Sequence, residues 1–427
     1  WVAFKTDQAG VPALGIVHTT APNSEAVLQS GVGLTRFVWA PDSSGLYYQD
    51  GSAVYYTRTQ GGTPRLVGTL TGLAPILHDI DSAGTLLIGT RSPKVGDYSV
   101  FTFPTSGATA AVDIVQTTGY FLSSVAIDPS GKKIAYTSQA SGFPHLPIDV
   151  RMVDVDGKND VSLTGGPIPN TAVSFSLPRD LVWADAGQTL LFTAIDPASF
   201  TWQVARVTTA SPLPQALTGG PGFHADTGVS KDRSTVVYRA ITAHNYQVAG
   251  VCPAIGGGRV LLEPELDWNF TGKPSTDRTG FRVAFAGYLV GSMPGTRAEI
   301  QLIELDREIK VAPLPRLGAS VTLELPVALN EQGTLFLSTG LLHPDPTKGP
   351  TLIPIPGLVY KVALNPAVLI PVLAGVGDGK GPLSLNATVP NDPALNGFTV
   401  YLQGLRVKSS SPLSGDLTRY VELQFFQ

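Results

Sequence analysis

The stretch FVWAPDSSGLYY, Phe37 to Tyr48, reads as an apolar strand, a tight polar turn and a second apolar strand. It recurs as SVAIDPSGKKIAYTS (Ser124–Ser138), DLVWADAGQTLLFTA (Asp180–Ala194) and DTGVSKDRSTVVYRA (Asp226–Ala240), and more loosely as ILHDIDSAGTLLIGT (Ile76–Thr90) and GKPSTDRTGFRVAFAG (Gly272–Gly287). One equivalent turn residue from each gives Asp42, Ala83, Ser130, Ala186, Asp232 and Thr279, at intervals of 41, 47, 56, 46 and 47 residues. A period of about 40–50 residues belongs to propeller blades or solenoid coils.

A second phrase follows each of the first: a strand, a Gly- or Pro-containing turn, and a strand ending near Leu-Thr-Gly, as in DVRMVDVDGKNDVSLTGG (Asp149–Gly166). Each period therefore holds four short strands and no helical pattern, the content of one propeller blade. Six periods are complete, and the first thirty residues read as the second, third and fourth strands of a further blade whose first strand is missing. A missing strand leaves unpaired backbone groups. The cover comes either from this chain, closing the ring, or from a neighbouring molecule, so the ring has six or seven blades.

The elements WAPDSSGLYY, AIDPSGKKIAY and WADAGQTLLF resemble the S-P-D-G-K-x-I-A-Y blade signature of TolB-like β-propellers, over Val32 to about Pro315. That resemblance implies four-stranded blades, usually six to a ring, in bacterial periplasmic and secreted proteins with mostly interaction functions, some fused to peptidase domains. The partial N-terminal repeat departs from the family pattern.

From Leu317 the period stops. The last 111 residues carry 6 Lys or Arg and 7 Asp or Glu, and hold seven short apolar runs separated by turn residues. An antiparallel β-sandwich is expected there. The segment Val389–Val407 is similar to C-terminal sandwich modules of secreted bacterial multidomain proteins. The expected organisation is all-β: a propeller over 1–316, then a sandwich over 317–427, joined by VAPLPRLG (Val311–Gly318), which is too short to be a flexible linker.

Composition sets the outer bounds. The 427 residues have a net charge of −4 and only 15% charged side chains, against 43% hydrophobic. Bulk charge cannot hold such a chain to nucleic acid, and disorder needs the opposite balance. Cys252 is the only cysteine, so no intramolecular disulfide and no cysteine metal cluster can form. No window of about 18 apolar residues is present, so no transmembrane helix is expected. No signal-peptide pattern is visible, and an exported protein whose signal has been removed is the expectation. The sequons at Asn269 and Asn386 would matter in a glycosylating system.

Catalytic patterns are missing. The six histidines form no H-x-x-x-H spacing, no G-x-S-x-G occurs, and Ser130-Gly131-Lys132-Lys133 falls on the recurring turn. The 111 C-terminal residues cannot supply the α/β-hydrolase domain of a propeller peptidase. GVGDGKGP (Gly375–Pro382) lacks the first Gly and the Ser or Thr of a phosphate loop and reads as a hairpin. DVDGKND (Asp154–Asp160) could attract calcium, but its Gly comes too early for an EF-hand loop, and a hairpin is favoured. Neither a metal nor a cofactor is expected.

The repeat supplies one constellation. The residues six before each aligned turn are Arg36, Leu77, Ser124, Asp180, Asp226 and Lys273, with His78 and His224 close by. If the first strand of each blade lines the channel, these sit at one level, either as salt bridges or as a binding site at the channel mouth. Arg36, His78, Asp180, His224, Asp226 and Lys273 are the candidates for a small polar ligand or cation.

The leading expectation is a non-enzymatic structural or interaction protein of the cell exterior, extracellular or on the cell surface, with the periplasm second. It associates with other copies of itself, in an extended polymer if strand addition completes the N-terminal blade. The alternative is a secreted recognition module binding glycan or peptide at the propeller mouth, with Trp202, Phe223 and Trp268 as candidate contacts. A lyase or hydrolase using Asp180 and Asp226 ranks third.

Overall fold

The computed structural model describes the chain except residues 1, 9–10, 19–20, 31–32, 108, 141–147, 165–179, 185–186, 197–200, 219–222, 231, 242–246, 255–258, 263–267, 277–281, 290–298, 306–307, 313–315, 341–352, 355, 357, 360, 363, 411–412, 420 and 426–427. The described residues are all-β apart from two short 3₁₀ turns. No helix among them is long and apolar enough to cross a membrane. The chain divides into two compact units, residues 1–195 with 205–215 and residues 196–204 with 216–427.

The first thirty residues form a three-stranded antiparallel sheet of β1 (Val2–Gln8), β2 (Val11–His18) and β3 (Ala21–Ser30). Three four-stranded sheets follow, each running in chain order. They are β4 to β7 (Leu34–Trp39, Gly45–Asp50, Ala53–Arg58, Arg65–Thr69), β8 to β11 (Leu73–Ile80, Leu86–Ser92, Asp97–Pro104, Val112–Thr118) and β12 to β15 (Tyr120–Ile127, Lys133–Ala140, Ile148–Asp154, Val161–Ser162). The fourth is β16 to β19 (Val182–Ala184, Thr189–Asp196, Thr201–Thr208, Ser211–Ala216), and β20 to β23 (Phe223–Val229, Thr235–Ile241, Gln247–Pro253, Arg259–Leu262) run in the same order.

In the first unit the cores lie between successive sheets, as blade stacking requires. Leu14 and Ile16 pack with Leu46 and Tyr48, Val54 and Tyr47 with Leu87 and Phe101, Ile88 and Val100 with Ile127 and Ile134, and Ala126 and Val150 with Trp183 and Leu190. Both faces of a middle sheet are buried, which is why its strands read as nearly continuous apolar runs.

The turn that defines the repeat has the same hydrogen bonds in four repeats. Ala40, Asp81, Asp128 and Ser230 each donate N–H to the carbonyl five residues on, at 2.9–3.1 Å, and accept from the N–H three residues on. That third residue has positive φ: Ser43 (63°), Gly84 (72°), Gly131 (71°) and Arg233 (62°); Gly187, at the corresponding position after β16, has φ 88°. The residue before it is the aligned turn residue of the sequence register, so the register agrees with the hairpins at Asp42, Ala83, Ser130 and Asp232. Side-chain acceptors fix the turn: Asp81 takes the N–H groups of Thr85 (2.7 Å) and Leu86 (2.9 Å), and Asp128 those of Lys132 (2.8 Å) and Lys133 (2.7 Å).

The sixth repeat departs from this pattern. Its sheet holds three strands, β24 (Trp268–Thr276), β25 (Arg282–Leu289) and β26 (Glu299–Glu304). The next strand, β27 (Lys310–Ala312), pairs instead with β28 (Ser320–Leu325). Next come β29 (Gln332–Ser338), the two-residue strands β30 to β32 (Ile353–Pro354, Leu358–Val359, Lys361–Val362), β33 (Ile370–Val376) and β34 (Leu383–Thr388). The last are β35 (Thr399–Ser410), β36 (Leu413–Leu417) and β37 (Val421–Gln424).

The strands β27, β28 and β34 make one sheet, and β33, β29, β35 and β37 run edge to edge in another, with β36 beside β35. This second sheet continues into the repeat region: β37 pairs antiparallel with β23, Arg259 opposite Glu422 and Val260 opposite Val421. The two sheets interlock as a sandwich. Leu325 and Leu383 project into gaps left by Gly333, Gly375 and Gly404, where an added Cβ would lie 2.4–3.2 Å from a leucine methyl. A buried ion pair supports the stack, Arg406 Nε to Asp416 Oδ1 at 2.6 Å. Arg419 meets Glu308 at 2.7 Å and donates its backbone N–H to the same carboxylate at 2.9 Å.

Candidate functional site

The register of the first strands singles out the level chosen from sequence. The pairing shifts between Leu34 and Arg36 in β4, between Leu77 and Asp79 in β8, between Leu122 and Val125 in β12, between Ala225 and Gly228 in β20 and between Thr271 and Ser275 in β24. Arg36, His78, Ser124, Asp226 and Lys273 each lie at or inside such a bulge. A bulge turns one or more residues out of the ladder and re-aims their side chains, and it leaves backbone groups in need of other partners.

Buried polar side chains supply those partners across neighbouring sheets. Gln49 on β5 accepts from Leu77 N (2.9 Å) and donates to Pro75 O (2.6 Å) on β8. Asp79 accepts from Ile127 N on β12 (3.2 Å), and Ser124 Oγ from Leu181 N at the start of the next sheet (3.1 Å). Trp183 Nε1 donates to Ala126 O at 3.2 Å. Ser124 is thus an inter-sheet lock. Sequence reasoning missed Gln49; its one signal is an amide inside the apolar run LYYQD.

The candidates divide between the units, with Arg36, His78 and Asp180 in the first and His224, Asp226 and Lys273 in the second. Arg36 is exposed. Its charge acts on His78 and on Lys5 of β1, both of which are held below their usual pKa. For both, burial is the larger cause, and it pushes the His78 imidazole down to about 3; Nε2 of His78 meets Thr90 Oγ1 at 3.0 Å. Asp180 is 9% exposed, just before β16.

On β20, His224 is buried. Its Nδ1 meets Gln203 Oε1 at 2.6 Å, and its ring stands edge-on to Tyr238, 5.4 Å between centroids. Asp226, at φ +56°, forms an ion pair with Arg239. The Lys273 side chain lies outside the described residues. Among the candidates, the charge of Arg36 reaches His78, and His224 sits two residues from Asp226 on one strand. His224, Ser124 and Asp226 already have protein partners.

The other sequence candidates resolve simply. In Asp154–Asp160 the carboxylates face cations: Asp154 meets Lys133 (2.9 Å), Asp156 meets Lys158 (3.0 Å) and Asp160 meets Arg151 (3.0 Å). This is a hairpin stitched by ion pairs. Gly375–Pro382 forms the turn from β33 to β34, with Lys380 N donating to Asp378 Oδ1 at 2.8 Å. Among the described residues no three His, Cys, Asp or Glu side chains converge on a metal-sized site. Asn386 is exposed on β34 with its amide oxygen accepting from Thr322 Oγ1, 2.8 Å; the side chain of Asn269 is outside the described residues.

Of the expected aromatic contacts, one is buried and one is partly covered. Trp202 is buried and packs on half-buried Phe223, 6.2 Å between centroids; the Trp268 side chain is outside the described residues. Exposed aromatics lie instead at the start of β12, where Tyr120 is 48% and Phe121 42% exposed, Phe121 resting on Tyr98 at 4.3 Å. Val95, 87% exposed, lies in the adjoining β9–β10 loop, which Gly119 N ties to Gly96 O at 3.3 Å. Exposed Leu73 begins β8 at the same end, opposite Ser92.

No protein-family model matches the chain, and no curated protein matches it in sequence. Solved structures do resemble it. An oligogalacturonate lyase in complex with manganese has a TM-score of 0.54 at 14% identity, over 71% of this chain and 85% of that one. An oligogalacturonate lyase from Vibrio parahaemolyticus scores 0.52 at 12% identity, over 67% and 82%. The likeness is one of fold. TolB from Acinetobacter baumannii, of the family that the blade motif resembles, is among the neighbours at a TM-score of 0.44 and 13% identity, over 71% and 76%.

Proposed function

We propose that this chain is a non-enzymatic structural and interaction protein of the cell exterior, which associates with further copies of itself by strand addition beside β1. One observation carries the reading. The sheet β1–β2–β3 has three strands, and among the described residues nothing pairs with the free edge of β1. The segment after the sixth repeat, which would close a ring from within, is engaged elsewhere: β27 and β28 pair with each other and β28 with β34. An open strand edge is a ready template for a strand from another molecule.

Two further features support it. Edge strand β33, IPVLAGV, has no charge and exposes Ile370 and Val376 by more than half, where soluble monomers commonly place Lys or a covering loop. The carboxylate offered for lyase or hydrolase chemistry in the second unit, Asp226, is neutralised by Arg239. The test is electron microscopy with light scattering of the native protein at tens of micromolar. Ordered chains or rings of subunits are expected, and a strictly monomeric particle overturns the reading.

The second reading, recognition of a glycan or peptide, is favoured by the exposed Tyr120 and Phe121 over Tyr98. Aromatic side chains presented rigidly at a surface are common binding anchors. Loss of ligand capture in Tyr120→Ser with Phe121→Ser, with subunit assembly unchanged, would select it.

A further inference from the structure

We propose that the β33–β34 side of the C-terminal sandwich is an interface between two copies of this chain, related by a two-fold axis so that β33 and β34 each lie antiparallel to their counterparts. This contact is separate from strand addition beside β1. Among the described residues β33 ends one sheet and β34 ends the other, each with one edge unpaired. The two edges lie one above the other, since a Cβ added to Gly375 on β33 would come 2.9 Å from a methyl of Leu383 on β34. Neither strand, IPVLAGV or LSLNAT, carries a charge; the charges of this hairpin, Asp378 and Lys380, sit in its turn.

Outer edges elsewhere in the chain show what is missing here. β3 carries Glu25, β7 Arg65 and β11 Asp113, β19 has two prolines, and β15 is two residues long. Charge, proline and shortness are the ordinary means by which a sheet edge avoids pairing with another molecule. β33 has one of them, Pro371 near its start, and β34 has none. Along the rest of β33 the backbone is available. Gly377 donates its N–H to Glu331 O and accepts from Asn330 N, both at 2.9 Å, so the alternation of an antiparallel ladder turns Gly375 toward β29 and turns Ala374 and Val376 away from it. The apolar side chains here are incompletely covered: Ile370 and Val376 are more than half exposed, and Leu373 and Leu385 only half-buried. A two-fold sets each residue near the axis against its own copy, so a charged edge would repel itself and this one does not. The same lack of charge leaves a foreign strand nothing to be selected by, which makes a second copy the occupant. Two stacked strand pairs form a small interface beside the roughly 1,200 Å² of standard complexes, so the dimer forms reversibly with concentration.

The test is disulfide cross-linking of the full-length protein under mild oxidation. Cys252 is buried, so a cysteine placed on the edge is the reactive one. Residues facing each other across an antiparallel pair have Cα atoms about 4.5–5.5 Å apart, within the span of a disulfide. Ala374→Cys and, separately, Val372→Cys bracket the axis, and Val112→Cys, at a 55% exposed position on charged β11, measures random collision. Covalent dimer should form in at least one edge variant about tenfold or more faster than in the control. Adding Val376→Lys should bring that rate down to the control, since the two-fold then places lysines on both sides of the seam. Edge cysteines that link no faster than Val112→Cys, or a rate that Val376→Lys leaves unchanged, overturn the proposal. Assembly through β1 alone would leave these cysteines apart. Ordered chains in the microscope without the cross-link therefore reject this dimer and spare the reading for β1, and the cross-link without chains does the reverse.

Discussion

Replacing Gly404 by alanine tests whether the C-terminal sandwich is held by leucine side chains seated in glycine gaps. The new Cβ would lie 2.4 Å from Leu325 Cδ1 and 3.0 Å from Thr418 Cγ2, where non-bonded carbons prefer about 3.5–4.0 Å. The backbone cannot back away. Gly404 donates its N–H to Thr418 Oγ1 and accepts from Thr418 N, both at 2.8 Å, and it faces Leu335 across the ladder. Leu325, fully buried, must therefore leave its rotamer, at about 1–3 kcal/mol for an overpacked core. Urea unfolding should show a lower midpoint with an unchanged slope. Gly381→Ala, with nothing within 4 Å of its added Cβ, should change stability by less than about 0.5 kcal/mol. Leu325→Ala alone should cost about 2–5 kcal/mol, but the two changes together should cost less than their sum by about 1–2 kcal/mol, since each relieves the other. Additive effects, or a Gly404→Ala as mild as the control, would refute the interlock.

Three other outcomes follow from single contacts. Gln49→Leu strips partners from buried Leu77 N and from Pro75 O, and should cost about 1–3 kcal/mol in denaturant melts; Gln49→Glu, which loses the amide donor and buries a charge, should cost more. Arg406→Met should cost about 3–5 kcal/mol by leaving Asp416 buried and unpaired, and Arg406→Met with Asp416→Leu should recover most of it. His78 is held neutral to about pH 3 when folded and takes up its proton near 6.5 when unfolded, so stability falls as pH drops through that window. At pH 5 the loss is about 1 kcal/mol after discounting for the exposed part of the residue, and His78→Asn should flatten that limb of the stability curve; parallel curves would count against it.

The repeat was legible because each hairpin must place one residue at positive φ after a polar turn former, and that requirement writes Asp, Ser and Gly at a fixed offset. The same rule placed Arg36, Ser124, Asp226 and Lys273 on first strands. What they do there was not legible. The partner of Ser124 is a backbone N–H 57 residues away, and that of Asp226 an arginine on the adjoining strand. Burial of Trp202 depends on sheet stacking, which residue type alone does not encode. The rerouting of β27 and the β23–β37 seam are joined by main-chain hydrogen bonds, for which any sequence with strand propensity serves. The glycine gaps opposite Leu325 and Leu383 carry no local mark either, since Gly in a strand reads equally as a bulge.

The β23–β37 seam sets a constraint on synthesis. Arg259 waits for Glu422, 163 residues further along, before its outer edge is covered. At about 5–20 residues per second the ribosome leaves that edge open for roughly 8–33 s, in a chain with few charges to discourage intermolecular pairing. During that interval the growing chain would expose an edge on β23 that β37 covers in the folded chain. This gives β37 a protective part in the folding of the repeat region.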